Sequence, residues 1–151
     1  MKKVFCTLVA AAALTLVACS SANTNNADAD TTAPVEAMAA PAIEDTYGEW
    51  TINEVCGTPV DGKATLTLNA DGTFGAVICN SFSGIVVQRG RSINAFGFEN
   101  VARTDRMGDP IEMAIEDTFA QTLDSVRHFD IVNGTLLLKD DNDEVLISCQ
   151  R

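Results

Sequence analysis

Histidine and closely spaced cysteines are scarce in this 151-residue sequence, and their scarcity excludes several kinds of site. His128 is the only histidine and no Cys-x-x-Cys pair occurs, so the usual ligands of a zinc site are lacking. The sequence also has no Gly-x-Ser-x-Gly motif, phosphate-binding loop or dinucleotide fingerprint. Because no nucleophile–base constellation is evident, a hydrolase is the least favoured function. We expect a protein that is not an enzyme and that has no metal or cofactor.

The sequence also lacks an apolar run long enough to cross a membrane. Its longest run, residues 4–16, is shorter than the roughly 20 residues that a spanning helix needs. Lys2 and Lys3 precede this run, and the tetrapeptide Leu16-Val17-Ala18-Cys19 closes it, matching the bacterial lipobox. A positive, an apolar and a small-residue segment in this order predict a lipoprotein signal peptide over residues 1–18.

Cys19 is the predicted lipidation site. In a lipobox the cysteine thiol accepts diacylglycerol before cleavage, and the freed amine then takes a third acyl chain. Stable anchoring requires more than one chain, which a triacylated cysteine provides. Ser20 follows, and by resemblance to Gram-negative lipoproteins a residue other than Asp favours the outer membrane, facing the periplasm. The alternative is an ordinary secreted protein in which Cys19 has this position by chance.

Basic side chains are few. The chain has 10 Lys and Arg against 21 Asp and Glu, a net charge of −11, and it loses Lys2 and Lys3 with the signal peptide. Such an acidic chain repels nucleic-acid phosphates and anionic membrane surfaces. We therefore expect no nucleic-acid partner, and contact with the membrane only through the lipid on Cys19.

The mature chain divides by composition into two parts. Residues 19–45 are mostly Ala, Asn, Thr, Asp, Ser and Pro, with almost no large apolar side chains. Such a segment cannot bury enough surface to offset its ordering entropy, so we predict a lipidated, disordered linker. Residues 46–151, about 105 in number, suffice for one modest domain.

Alternating apolar and polar residues predict strands through most of this domain. Asn69-Ala70-Asp71-Gly72 and Asn133-Gly134 predict two hairpin turns. The predicted strands cover residues 48–55, 64–68, 73–79, 84–88, 92–98, 128–132, 135–139 and 145–149. These segments predict a mainly antiparallel sheet.

One helix is predicted, over residues 110–125, late in the chain. Asp109 is a suitable N-cap and Pro110 a suitable first residue. An apolar stripe at four-residue steps is expected to pack on the sheet; its members are Ile111, Ile115, Phe119 and Leu123. The fold class is therefore α+β, an antiparallel sheet with one helix inserted late.

Three groups of polar residues receive structural interpretations. Glu112 and Glu116 share a helix face, which is usually solvated. Residues 140–144, Asp-Asp-Asn-Asp-Glu, offer oxygen ligands but lack the spacing of an EF-hand, so an acidic hairpin tip is favoured over a cation site. Asn80 lies between apolar strands, where we expect it to bond backbone groups at a sheet corner.

Several motifs together point to one family. Trp50 lies in the opening strand, the Cys79-Asn80-x-x-x-Gly84 segment follows the first hairpin, and Glu116 and Phe119 lie in the helix. Over residues 48–151 this pattern resembles the META domain, the family that includes the HslJ heat-shock proteins of the bacterial envelope. The resemblance implies an association with envelope stress, antibiotic tolerance and, in other lineages of the family, motility or secretion. It brings no established catalytic residues.

The sequence departs from this family at a cysteine. The family's second cysteine, in a Thr-x-Met-Ala-Cys motif, is missing, because residues 104–109 read Thr-Asp-Arg-Met-Gly-Asp. Cys79 therefore lacks the partner that the resemblance implies. Export would place the remaining cysteines in an oxidising compartment, and the sequence allows three pairings. We expect a disulfide between Cys56 and Cys149, in the first and last strands; a bond from Cys79 to either of them is the alternative.

The predicted function is that of a membrane-anchored, non-catalytic lipoprotein. It would support envelope integrity or the stress response by binding an unidentified envelope protein. The alternative is a protein that binds a small ligand or a cation.

Overall fold

The computed structural model describes residues 41–151 of the chain. The predicted signal peptide, the lipidation site Cys19 and the linker as far as residue 40 lie outside the described residues. Among the described residues, no helix has the length and apolar character needed to cross a membrane.

Nine strands, one α-helix and a short 3₁₀ helix make up the described chain. In order they are the 3₁₀ helix (Ile43–Thr46), β1 (Gly48–Val55), β2 (Thr58–Pro59), β3 (Thr65–Leu68), β4 (Thr73–Val77), β5 (Ser81–Val87), β6 (Gly97–Arg103), α1 (Pro110–Leu123), β7 (His128–Val132), β8 (Thr135–Lys139) and β9 (Val145–Gln150).

All of the strands belong to one antiparallel sheet. Eight follow the order β6-β5-β4-β3-β1-β9-β8-β7, and β2 pairs with β1. The helix α1 connects β6 to β7. This arrangement confirms the predicted α+β class with one helix late in the chain.

The two ends of the sheet meet at a seam between residues 94–96 and 127–129. Ala95 forms an isolated antiparallel bridge with His128. Backbone hydrogen bonds flank the bridge, from Phe96 N to Arg127 O at 2.8 Å and from Phe129 N to Asn94 O at 3.1 Å. The seam curls the sheet around a single apolar interior.

A chain of phenylalanine rings crosses that interior. Phe74 contacts Phe98 edge to face with ring centroids 4.6 Å apart, and Phe98 contacts Phe96 at 5.1 Å. Phe96 in turn contacts Phe129 at 5.7 Å, which carries the packing across the seam. Edge-to-face pairs stabilise beyond their buried area by about 0.5–1.5 kcal/mol each. The seam is therefore held by core packing as well as by backbone hydrogen bonds.

Both predicted hairpin turns are present. Asn133 and Gly134 have φ of 51° and 78°, as a two-residue hairpin turn requires, and Val132 pairs with Thr135 across it. In the other turn the Asp71 carboxylate accepts from Thr73 N at 2.9 Å and from Thr73 Oγ1 at 2.6 Å. These hydrogen bonds lower the pKa of Asp71.

One strand prediction was misplaced. Residues 92–98 were predicted as a strand, but β6 begins only at Gly97, and Ile93 lies in a turn with its side chain 58% exposed. Phe96 and Phe98 are buried, as a strand pattern would place them. The seam explains the error, because residues 94–96 pair with β7 and not with β5.

The helix α1 begins as predicted and ends two residues early. The Asp109 carboxylate accepts from Ile111 N at 2.8 Å, and Pro110 is the first helical residue. Phe119 and Leu123 of the predicted stripe are fully buried. Ile111, in the first turn, is instead 72% exposed. The apolar stripe therefore extends beyond the sheet that it packs against.

The 3₁₀ helix lies at the predicted junction between linker and domain. Thr46 is buried, and its carbonyl accepts a hydrogen bond from Trp50 Nε1 at 2.7 Å. Arg151 lies over the face of the Trp50 ring, with Cζ 4.2 Å from the ring centroid. The two ends of the domain are thereby fastened to the same tryptophan.

Candidate functional site

Asn80 and Glu116 form a buried polar network between the end of β4 and the helix. The side chains are 3% and 2% exposed, respectively. The Glu116 carboxylate accepts from Asn80 Nδ2 at 2.9 Å and from two backbone groups, Cys79 N at 3.2 Å and Asn80 N at 2.5 Å. The Glu116 carboxylate thus accepts from the backbone N–H groups of the turn that joins β4 to β5.

The Asn80 side chain extends this network to the segment before the helix. Its Oδ1 accepts from Thr104 Oγ1 at 3.0 Å and from Arg106 N at 2.7 Å. Its Nδ2 also donates to Arg106 O at 3.1 Å. Asn80 therefore bonds backbone groups at a sheet corner, as predicted from its position between apolar strands, and both the oxygen and the nitrogen of its side-chain amide are hydrogen-bonded.

The expectation that Glu116 belongs to a solvated helix face was wrong. Glu116 lies three and seven residues before the buried Phe119 and Leu123, and therefore on the face that packs inward. Arg103 Nη1 lies 3.7 Å from its carboxylate and contacts Asp117 at 2.6 Å. A buried charge is tolerated when hydrogen bonds and a counter-ion surround it, as they do here. The helical spacing to Phe119 was the sequence signal that could have predicted this burial.

Cys79 faces Gly108 across this corner. A β-carbon built on Gly108 would lie 3.6 Å from Cys79 Cβ and would collide with the cysteine sulfur. Counting from Thr104, Gly108 is the fifth residue, where the Thr-x-Met-Ala-Cys motif has its cysteine. The glycine leaves room for the unpaired thiol. Burial, followed by the charges of Glu116, Glu112 and Asp109, raises the thiol pKa of Cys79.

The predicted disulfide between Cys56 and Cys149 is not formed. Both cysteines and Cys79 are free thiols. Cys149 lies opposite Ile52 in the β1–β9 pairing. Cys56 is four residues further along the chain than Ile52, which in an extended strand places it about 13 Å away. A disulfide requires α-carbons within about 7 Å. Cys56 Sγ lies instead 3.3 Å from Thr122 Oγ1, and burial raises the pKa of Cys149 to about 12.

Gly84, the last residue of the motif segment, permits close packing between β5 and β6. A β-carbon there would lie 2.6 Å from Phe74 Cε1 and 2.7 Å from the Glu99 carbonyl oxygen. The pairing of these strands shifts register between Ser83 and Ile85. At this irregularity in the sheet there is no room for a β-carbon, and a glycine is therefore required at position 84.

The acidic turn at residues 140–144 uses its first carboxylate internally. Asp140 accepts from Asn142 N at 2.8 Å, Glu144 N at 2.9 Å and Asn142 Nδ2 at 3.0 Å. Desolvation raises the pKa of Asp140, but these hydrogen bonds and the nearby His128 bring it below its ordinary value. No group of metal-ligating side chains is found in residues 41–151.

His128 lies near this turn in a cavity of about 460 Å³. Its Nε2 is 2.9 Å from Asp143 Oδ1, and Arg127 pairs with Asp141 at 3.4 Å. The residues that line this cavity include no cysteine. The structure therefore does not bring His128 together with a thiol.

A second cavity, of about 500 Å³, separates β6 from α1. Its apolar lining includes Phe82 and Phe98, and its positive charge comes from Arg89 and Arg103. Both arginines already have carboxylate partners, Arg89 with Glu99 at 3.7 Å and Arg103 with Asp117. An anionic ligand would have to compete with them.

A third cavity, of about 410 Å³, lies beside the first turns of α1, and we refer to it as the α1 groove. Its apolar lining consists of Pro59, Val60, Ala64, Ile78, Ile111 and Ile115. Its charged residues are Asp61, Lys63, Asp109 and Glu112. The groove therefore combines an apolar floor with a mostly acidic rim.

The described fold corresponds to a known protein family. The sequence profile of the META domain matches residues 41–151, the whole of the described fold. The chain belongs to the META domain family. Within this META domain, the motif residue Trp50 contacts both ends of the domain. Cys79 and Asn80 lie at the sheet corner, and Gly84 lies at the contact between β5 and β6.

Solved structures share the fold of this META domain at low sequence identity. An NMR structure of a protein from Burkholderia xenovorans is 17% identical with a TM-score of 0.57, covering 81% of this chain and 98% of that one. A DUF4847 family protein from Bacteroides vulgatus is 16% identical with a TM-score of 0.50, covering 70% and 92%. A further NMR structure is 19% identical with a TM-score of 0.53, covering 68% and 88%. No curated protein matches the chain in sequence.

Proposed function

We propose that this protein is a lipoprotein anchored through Cys19 in the outer membrane, facing the periplasm. Its META domain would act there by binding another envelope protein and so support envelope integrity or the stress response. The lipobox Leu16-Val17-Ala18-Cys19 supports the anchor. The linker, which would span roughly 25–30 Å if flexible, would hold the domain clear of the lipid headgroups.

The exposed start of the α1 stripe is the observation that carries the binding role. Ile111 is 72% exposed and Met107, four residues earlier, is 98% exposed. Isolated exposed apolar residues are common, but Ile111 lies on an apolar groove. Contiguous apolar surface rimmed by polar residues is typical of sites where proteins bind one another.

The use of the buried polar groups supports a non-catalytic role. Perturbed, partly exposed acids and bases are typical of active sites. The buried groups Asn80 and Glu116 are instead saturated by hydrogen bonds that hold the chain itself. The raised thiol pKa of Cys79 and Cys149 also makes both poor nucleophiles at neutral pH.

Binding of a small ligand is the second candidate function. The cavity between β6 and α1 has a volume within the range of small-molecule sites. Its two arginines are already paired, which makes it less suited to a ligand than the α1 groove is to a protein. Binding of a cation would have to use the turn at residues 140–144, where the hydrogen bonds of Asp140 must first be broken.

Purification of the anchored protein from its own membrane, compared with a Cys19→Ala form exported behind a signal peptide that is cleaved without lipidation, tests the proposal. We expect the wild-type protein in the outer-membrane fraction, enriched with an envelope protein after crosslinking in intact cells. The Cys19→Ala form should be released into the soluble periplasmic fraction. A Cys19→Ala form that stays with the membrane would contradict the anchor. A wild-type protein that captures no envelope protein would contradict the binding role.

A further inference from the structure

We propose that the α1 groove docks a basic, amphipathic helical segment of a partner protein. The inference rests on the proposed binding function and names the surface and the chemistry of the partner. It has two independent supports, the uncovered apolar stripe and the charge of the groove rim.

The apolar support is a change of burial along the helix. Phe119 and Leu123 are fully buried, Ile115 is half-buried against the core, and Ile111 is 72% exposed. Val60 and Ile78, on the opposite side of the groove, are also half-buried next to the core. The groove therefore continues the core surface out to solvent. A groove of this kind accepts the apolar face of a helix through side chains spaced at three and four residues.

The rim charge indicates the sign of the partner. Asp61, Asp109 and Glu112 line the groove and Lys63 is the only cation among its lining residues. Neither Asp61 nor Glu112 takes part in an ion pair among the described residues. Complementary charges around an apolar centre increase association rates and select partners. The occupant should therefore carry Lys or Arg beside its apolar face.

Other occupants fit this charge poorly. A second copy of the chain is equally acidic, with 21 acidic and 10 basic residues. The chain's own residues 20–40 contain Asp28, Asp30 and Glu36 but neither Lys nor Arg. An anionic lipid surface would be repelled by the rim.

A direct test uses a helical peptide of about 14 residues, four turns, with leucines at one face and lysines elsewhere. Its binding to the mature Cys19→Ala chain is measured by fluorescence anisotropy at physiological ionic strength. Two further peptides serve as controls, one with the same composition in scrambled order and one with glutamate in place of lysine. We expect the ordered basic peptide to bind at least ten times more tightly than either control.

Two pairs of matched variants locate the binding. Ile111→Asp should weaken binding at least tenfold, although its added negative charge alone would favour a basic peptide. Ile93→Asp makes the same change at another exposed isoleucine and should leave binding unaltered. Removing two rim charges with Asp61→Asn and Glu112→Gln should weaken binding and reduce its salt dependence. The same change at the exposed Glu44 and Glu49, both to Gln, should have little effect.

The outcomes separate this inference from the proposed function. Equal binding of ordered and scrambled peptides, or no difference between Ile111→Asp and Ile93→Asp, would overturn the groove assignment. A photoreactive residue is then placed at position 111 or 93 in the anchored protein in living cells. Capture of an envelope protein from position 111 alone supports the inference. Capture from position 93 alone overturns it and leaves the binding function standing, whereas wild-type chemical crosslinking that captures nothing contradicts both.

Discussion

At the scale of single residues, Glu116 has the strongest predicted effect on stability. Its side chain is 2% exposed, and its carboxylate accepts hydrogen bonds from two backbone N–H groups and from the Asn80 amide. Glu116→Gln keeps the shape but turns an N–H group toward one of these donors. We expect a loss of about 3 kcal/mol in the free energy of unfolding, measured by urea denaturation. Glu112→Gln, one turn earlier and exposed, should cost less than about 0.5 kcal/mol, and equal losses in both variants would refute the account.

Gly108 supplies a second prediction at this scale. The 3.6 Å between its built β-carbon and Cys79 Cβ lies within the disulfide range, so Gly108→Cys should oxidise to a bond with Cys79. The bond would close a loop of about 30 residues and raise the melting temperature by on the order of 10 °C. Melting curves with and without dithiothreitol measure this difference. Gly108→Cys combined with Cys79→Ala is the control, and thiols that stay reduced in the single variant would contradict the geometry.

Cys149 gives a pH dependence of stability. Its pKa rises from 9.0 to about 12 on folding because the thiol is buried, so between these values the folded state retains a proton that the unfolded state has lost. Stability therefore falls as the pH rises through this window. In urea titrations from pH 8.5 to 11, the Cys149→Ala variant should show a shallower fall than the wild type. Parallel curves would show that the thiol is not protected by burial.

At the scale of elements, the contact between β5 and β6 depends on Gly84. A β-carbon at this position would overlap Phe74 and the Glu99 carbonyl oxygen, and neither can move without disturbing the core or the strand. Gly84→Ala should lower the free energy of unfolding by about 1–3 kcal/mol. Gly75→Ala, in the neighbouring β4, is a suitable control because its β-carbon would meet nothing closer than 3.8 Å. A stability loss of equal size at Gly75 would rule out steric overlap as the cause.

The elements with local signals were predictable from the sequence, and those set by long-range pairing were not. Asn133-Gly134 and Asp109-Pro110 predict a hairpin and a helix start because the required φ values and the cap are local properties. The seam at residues 94–96 depends on a strand more than 30 residues away, so its pattern was taken for an ordinary strand. The separation of Cys56 from Cys149 depends on the β1–β9 register, which composition does not determine.

The candidate site divides in the same way. Asn80 was correctly placed at a sheet corner because a polar residue between apolar strands must find backbone partners. The exposure of Ile111 follows from where α1 lies on the sheet, which no local pattern records, whereas the helical spacing of Glu116 to Phe119 did indicate the burial of Glu116. The α1 groove combines residues from the β2–β3 connection, the end of β4 and the helix. Because these residues are far apart in the sequence, the groove can be recognised only in the three-dimensional structure.

At the scale of the whole molecule, the proposed lipid on Cys19 would hold the META domain at a membrane. The domain carries an excess of acidic residues, and the membrane surface that would hold it is also anionic, so direct contact between them is unfavourable. The proposed attachment through Cys19 and a polar linker would resolve this conflict. A partner with a basic segment could then bind the α1 groove without the domain touching the membrane surface.

The mass of the mature N-terminal peptide tests this account most directly. The protein is purified from its own membrane, digested, and analysed by mass spectrometry for the peptide that begins at residue 19. The account predicts a peptide that starts at Cys19 and carries a diacylglyceryl group and an N-linked acyl chain. An N-terminus at any other residue, or an unmodified Cys19, would contradict it.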